Sequence, residues 1–81
     1  MTLTDTIYRL QRIDDLINRR ATGSPVEFAK TLNLSTRRLF EIMDCLREYG
    51  LNISYSKEKR SYFYTDTKRL FTLKLPGNGG G

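Results

Sequence analysis

The sequence predicts a mostly α-helical fold of three helices followed by a small antiparallel β-hairpin or sheet. Two observations support this prediction. Apolar residues recur every three or four positions between residues 4 and 49, which is the spacing of amphipathic helices. After Gly50 they alternate with polar residues, as in half-buried strands. With 81 residues the chain has room for one small core, so we expect a single domain at residues 1 to 75.

The first helix is predicted from Thr4 to about Arg20. Thr4 is expected as its N-cap, with Asp5 favourable in the first turn. One face is apolar and is expected to be buried: Ile7, Leu10, Ile13, Leu16 and Ile17. The polar face carries Arg9, Arg12, Asp15 and Arg19. We interpret that polar face as solvated rather than bound to phosphate.

Capping signals divide the next stretch into two helices joined by a tight turn. Ser24 begins a short helix, and Glu27 three residues later completes a capping box. Asn33 stands where the chain must reverse, because asparagine tolerates the left-handed conformation. Ser35 is the expected N-cap of the third helix, which ends at Gly50. The pattern therefore predicts helix, tight turn, helix.

The third helix is expected to have a core face and an opposite charged face. At about 100° per residue, the core face gathers Leu39, Ile42, Met43, Leu46 and Tyr49. The opposite face carries Arg37, Glu41, Asp44 and Glu48. Cys45 is expected to be a buried structural thiol. Phe40 projects from the flank, where packing against the first helix or the hairpin and contact with a partner protein are the two alternatives.

The remaining residues predict strands and a tail. Alternation of Leu51, Ile53 and Tyr55 indicates one strand, and residues 61 to 65 suit its hairpin partner across a charged turn at residues 56 to 60. Residues 69 to 75 alternate in the same way, so we expect a third strand there. Residues 76 to 81, after that strand, are glycine-rich and are expected to form a flexible tail.

The amino-acid composition excludes several classes of functional site. The chain has no histidine and a single cysteine, so a zinc site, a disulfide framework and a histidine-assisted nucleophile all lack their parts. We expect no enzyme, no cofactor and no small-molecule ligand. No apolar run approaches a membrane span or a signal peptide, and we expect a cytoplasmic protein with no membrane partner.

The charge distribution favours a polyanionic partner. The formal net charge is +5 and the sequence pI is about 9.7. Residues 51 to 81 carry six basic side chains against two acidic ones, so most of the excess lies in the hairpin and beyond it. Double-stranded DNA is the partner we expect first.

The stretch "EFAKTLNLSTRRLFEIMDCLREYGLNISYSKEKRSYFY" resembles the winged helix-turn-helix domains at the N-termini of biotin-operon-type and DeoR-type repressors. The matching positions are Ala29, Leu32, Leu34, Ser35, Arg37, Leu39, Leu46 and Gly50. The resemblance covers roughly residues 6 to 65. Most of these positions are apolar or capping residues. The chain has Arg38 where the family often has threonine, and Glu41 where it often has arginine. The resemblance therefore supports the fold more strongly than it supports individual DNA contacts.

The resemblance implies a small transcriptional regulator that binds specific DNA sites. The third helix would lie in the major groove and the hairpin would be the wing on the DNA backbone. The candidate DNA-binding residues are Ser35, Thr36, Arg37, Arg38 and Glu41 on the helix, and Lys57, Lys59 and Arg60 on the wing. Such a short chain would act by occupying its site, as a homodimer, or through a partner protein.

Two other interpretations remain open. A winged helix can serve as a protein-interaction module or adaptor, here through Phe40, Asp44, Glu48 and the acidic face of the third helix. The aromatic residues of the hairpin could instead stack on the bases of a single-stranded nucleic acid. Core packing is the simpler explanation for at least half of these aromatic residues, because alternation sends some of them inward.

Overall fold

A computed structural model describes residues 2 to 71 of the chain. Three helices precede a two-stranded antiparallel sheet, so the protein is mostly helical, as predicted. The elements are α1 (Leu3–Asn18), α2 (Pro25–Thr31), α3 (Thr36–Glu48), β1 (Ile53–Ser56) and β2 (Ser61–Tyr64).

Helix α1 has its N-cap two residues earlier than predicted and ends at Asn18, before Arg20. Thr2, not Thr4, is the N-cap, because the Thr2 hydroxyl accepts the Asp5 N–H at 3.1 Å and the Asp5 carboxylate accepts the Thr2 N–H. The sequence contains a threonine at both positions, and only Thr2 has an acid three residues later. Ile7 was expected in the core but is 42% exposed, and the buried residues of α1 begin at Ile13.

Helices α2 and α3 are capped and joined as predicted. Ser24 and Glu27 form the capping box of α2, and the Ser35 hydroxyl accepts the Arg38 N–H at 3.0 Å. Asn33 adopts a φ of 59° in the turn between the helices. Gly50 ends α3 with a φ of 108°, a conformation that side chains disfavour. The local sequence therefore determines this reversal without help from distant contacts.

The core lies where the three helices meet the hairpin. Its buried residues are Ile13, Leu16, Ile17, Phe28, Ala29, Leu32, Leu39, Met43, Leu46, Leu51, Ile53 and Tyr62. Phe28 is fully buried and packs against the ring of Tyr62 at 5.8 Å between centroids. Every element contributes to this core, which joins the hairpin to the helices as one unit.

The core face of α3 is narrower than predicted. Cys45 was expected to be buried and is exposed, and Tyr49 is 86% exposed. The centre of the buried face runs through Leu39, Met43 and Leu46, which places Cys45 and Tyr49 roughly 80° to 120° around the helix. No other described element covers that flank. Both residues line an open groove of about 770 Å³ between α1 and α3.

The hairpin forms from the two predicted segments, but Ser56, which was expected in the turn, is the last residue of β1. Ile53 pairs with Tyr64 and Ser56 with Ser61, around a turn at residues 57 to 60. Arg60 closes the turn with a φ of 51°. Strand β1 begins two residues after its expected start at residue 51, and strand β2 ends one residue before its expected end at residue 65.

A buried hydroxyl pair attaches the hairpin to the loop before α2. The Thr22 N–H donates to the Ser61 hydroxyl at 3.1 Å, and the Tyr62 N–H donates to the Thr22 hydroxyl at 2.9 Å. Thr22 and Ser61 are both almost fully buried. Since these hydrogen bonds satisfy polar groups inside the protein, they fix where the start of β2 lies on the helical body.

The segment after β2 is held against α1 by a buried carboxylate. Asp14 accepts hydrogen bonds from the Tyr64 hydroxyl at 2.7 Å and from Nη2 of Arg69 at 2.6 Å. Residues 69 to 71 do not form a strand, so this part of the predicted third strand is wrong. Residues 72 to 75, and the tail at residues 76 to 81, lie outside the described residues.

Candidate nucleic-acid interface

The first turns of α3 bring three of the predicted site residues together. Nη1 of Arg38 lies 3.1 Å from Oε1 of Glu41, and Nε of Arg37 lies 3.8 Å from Oε2 of the same carboxylate. The side chains are 90% exposed for Arg37, 63% for Arg38 and 52% for Glu41. The cluster carries one net positive charge and projects into solvent. Exposed pairs of this kind contribute only a few tenths of a kcal/mol to stability, so they are free to exchange for another partner.

Ser35 and Thr36, which precede the cluster, have different roles. The Ser35 hydroxyl oxygen already accepts the Arg38 N–H as the helix cap. Its first role is therefore structural, since it orients the turn that carries both arginines. Thr36 is the first residue of α3 and is partly exposed.

The acidic face of α3 is partly neutralised by its own helix. Asp44 forms an ion pair with Nη1 of Arg47 at 3.5 Å, and Nε of Arg47 donates to the Ile53 carbonyl at 3.2 Å. Glu48 is exposed. Phe40 is 46% exposed, which agrees with either of its two predicted roles, packing against α1 or the hairpin and contact with a partner protein. Two of the three acids on this face are thus paired with arginine.

The hairpin turn presents two exposed lysines and one anchored arginine. Lys57 and Lys59 are exposed, whereas Nη2 of Arg60 donates to Oε1 of Glu27 at 3.1 Å. The same Glu27 oxygen accepts the Ser24 N–H at 2.7 Å. Arg60 therefore connects the turn of the hairpin to the start of α2. Sequence reasoning grouped the three basic residues, and only the tertiary contact separates Arg60 from the two lysines.

The hydrogen bonds to Ser24 and the nearby Arg60 guanidinium lower the pKa of Glu27 below its usual value of 4.5. A carboxyl whose pKa is lowered in the folded protein stabilises it above the usual pKa. That contribution is lost as the pH falls through the lowered pKa. The bonds that Glu27 accepts from Ser24 and Arg60 should therefore weaken only at acid pH.

We expect Glu27→Gln to reduce the loss of stability on acidification. Glutamine can still complete the capping box, but it cannot titrate or attract Arg60 as an ion. Urea unfolding at pH 7 and pH 3 would measure how much the free energy of unfolding falls on acidification in the wild type and in the variant. Glu58→Gln, which alters an exposed carboxylate of the hairpin turn, is the matched control. An equal acid-induced loss in wild type and Glu27→Gln would contradict the assigned role of Glu27.

The hairpin aromatics are poorly placed to stack on bases. Tyr62 is only 4% exposed, and Tyr55 packs against it edge-on at 5.0 Å between centroids. Phe63 lies beneath the guanidinium of Arg20 at 5.7 Å, and the hydroxyl of Tyr64 is held by Asp14. These rings pack within the protein, which agrees with the core interpretation of most of them.

The predicted site residues form two separate groups. Arg37, Arg38 and Glu41 contact one another on α3, while Arg60 contacts Glu27 at the start of α2. The hydrogen bonds and ion pairs of residues 2 to 71 do not join the two groups. Sequence reasoning missed Thr22 and Glu27 as residues that position the hairpin, since their partners lie 39 and 33 positions away.

Comparisons with protein-family models, with curated proteins and with solved structures found no match to this chain. No helix within residues 2 to 71 is long and apolar enough to cross a membrane. The exposed charges of α3 and of the hairpin turn are thus the features from which a function can be inferred.

Proposed function

We propose that this chain is a winged helix-turn-helix domain that binds specific sites on double-stranded DNA and regulates transcription. The observation that carries the proposal is the placement of Arg37 and Arg38. Both project into solvent from the first turn of α3, the second helix of a helix-turn-helix unit. In DNA-binding proteins of this architecture, the N-terminal residues of that helix contact base edges in the major groove.

The charge pattern along α3 agrees with insertion of its N-terminal end. The first turn carries two arginines, whereas Asp44 and Glu48 lie nearer the C-terminus. A carboxylate close to the DNA phosphates is repelled, so an acidic C-terminal half favours a helix that enters the groove only with its first turns. The ion pair between Asp44 and Arg47 lowers the remaining repulsion.

The hairpin supplies the second proposed contact as the wing. Lys57 and Lys59 are exposed in its turn and can each neutralise a phosphate. The hydrogen bonds from Thr22 to Ser61 and from Arg60 to Glu27 hold that turn on the helical body. In this proposal Arg60 positions the wing, and the two lysines bind the DNA backbone.

Replacing Lys57 and Lys59 with alanine should weaken binding to all duplexes alike. Each phosphate contact contributes about 0.9 to the slope of log affinity against log salt, so the double variant should have a slope smaller by roughly 2. Fluorescence anisotropy with labelled duplexes at several salt concentrations measures this slope. Lys30→Ala combined with Lys68→Ala is the charge-matched control, since both lysines are exposed outside the proposed surface.

The same titration tests the function itself. The wild type should bind unrelated duplexes with an affinity that falls steeply as salt increases, and should bind a preferred site more tightly. An unchanged slope in the wing variant would exclude the wing from the interface. A complete lack of binding at low salt would overturn the DNA-binding proposal.

Protein interaction is the second candidate function. Phe40 on α3 and Tyr49 at its C-cap are large, exposed aromatic side chains, and such residues are enriched at protein interfaces. Glu48, which has no ion-pair partner among residues 2 to 71, adds an acidic contact for a basic partner. This candidate predicts no DNA binding at low salt, which the anisotropy titration distinguishes.

A further inference from the structure

We propose that Glu41 determines sequence specificity by accepting a hydrogen bond from a cytosine amino group, so that the preferred DNA site contains a C·G pair beneath α3. This inference rests on the proposed DNA-binding function. It goes beyond that function by assigning a base to one residue.

Glu41 projects from the same face of α3 as Arg37, one turn further along the helix. A helix rises about 1.5 Å per residue, so the two side chains originate about 6 Å apart along the axis. That separation is within two base-pair steps of about 3.4 Å each. A helix that presents Arg37 to one base pair therefore brings Glu41 close to a neighbouring one.

The two arginines make a carboxylate tolerable at this position. Oε1 of Glu41 is 3.1 Å from Arg38, and Oε2 is 3.8 Å from Arg37. The guanidiniums offset the repulsion that phosphates would exert on an isolated carboxylate.

The carboxylate retains acceptor capacity for a base. An ionised carboxyl group has about four lone-pair positions, and these arginines occupy at most one on each oxygen. Glu41 is 52% exposed, so the remaining positions can be reached from solvent. Glu41 can therefore accept a further N–H without releasing either arginine.

Base chemistry selects cytosine as the partner. In the major groove, cytosine presents an amino donor, whereas guanine and the oxygen of thymine present acceptors that repel a carboxylate. Adenine presents an amino group beside the N7 acceptor, which is a pattern that suits an amide better than a carboxylate. Arg37 or Arg38 can donate to O6 and N7 of a nearby guanine. A C·G pair beside a G·C pair therefore gives Glu41 an amino donor and gives one of the arginines the two acceptors of guanine.

The test is a change of specificity in Glu41→Gln. Wild type and variant would each be incubated with a pool of duplexes randomised over a central segment, and the bound fraction would be sequenced. Glutamine matches the amide pattern of adenine, so we expect one position to change from C·G to A·T by about tenfold, with the other positions unchanged. Glu48→Gln removes the same charge from the same face and should keep the wild-type preference.

The outcomes separate this inference from the proposed function. Identical sites for the wild type and Glu41→Gln would overturn the role of Glu41 while leaving DNA binding intact, as would a uniform gain in affinity without a change of site. DNA binding that enriches no sequence would overturn both this inference and the sequence specificity of the proposed function. A wild type that retains no duplex at low salt would overturn the proposed function and this inference together. Circular dichroism of each variant confirms that the fold is retained.

Discussion

Replacing Arg37 and Arg38 together with alanine is expected to lower the affinity for the preferred duplex by about a hundredfold or more. A good bidentate contact from arginine to guanine discriminates by roughly 1 to 3 kcal/mol, and the variant removes two candidates for such contacts. The fold should be unaffected, because both side chains are largely exposed and the cap at Ser35 uses only the backbone N–H of Arg38. Anisotropy titration against the preferred site and an unrelated duplex measures the loss.

A charge-matched variant controls for the change in net charge. Arg12 on α1 and Arg19 at its C-cap are exposed, and replacing both with alanine also removes two positive charges. That control should weaken specific and non-specific binding slightly and equally. If the α1 control lost as much specific affinity as the α3 variant, net charge rather than the first turn of α3 would account for binding.

Asp14→Ala is expected to destabilise the protein by roughly 2 to 4 kcal/mol. The substitution leaves the half-buried Tyr64 hydroxyl without its acceptor and removes a charge-assisted hydrogen bond from Arg69, and losses of this kind cost about 1 to 3 kcal/mol each. Burial, followed by the hydrogen bond to Asp14, raises the pKa of Tyr64 well above its usual value. Urea unfolding monitored by circular dichroism at pH 7 would measure the change in the free energy of unfolding.

Two variants test whether the buried bonds cause this loss. Asp14→Asn retains an oxygen that can accept from Tyr64 but removes the charge that faces Arg69, so it should have an intermediate effect. Asp15→Ala removes the adjacent, exposed carboxylate, whose ion pair with Arg19 should contribute a few tenths of a kcal/mol. Equal losses for Asp14→Ala and Asp15→Ala would show that the contacts of Asp14 add no stability.

Local signals in the sequence predicted the helix boundaries where the relevant atoms are close along the chain. The cap at Ser24 involves Glu27, three residues later, and the cap at Ser35 involves the N–H of Arg38. Both were predicted from spacing, because such bonds depend only on helical geometry. The wrong N-cap at Thr4 also has a local cause. Thr2 and Thr4 are both possible caps of α1, and only Thr2 is three residues before Asp5, whose carboxylate accepts the Thr2 N–H.

Residues with distant partners were not predictable from spacing. Helical spacing places Asp14 between Leu10 and Ile17 on the apolar face of α1, but it does not show that Asp14 meets Arg69 across 55 positions of the chain. Thr22 lies in a loop and reaches Ser61 across 39 positions. A short-range pattern holds no information about such pairs, because they form only after the hairpin has packed on the helices.

The sequence by itself therefore determined the order of three helices and a hairpin, the caps of α2 and α3, and the position of two arginines at the start of α3. Hydrogen bonds within one helical turn and the periods of apolar residues are sufficient to specify these features. Only the tertiary structure decided that Cys45 and Tyr49 are exposed, that Arg60 is bound by Glu27, and that Asp14 is bound by Tyr64 and Arg69. Exposure and ion pairing of these residues depend on which elements pack against them, and that packing joins residues that the chain keeps far apart.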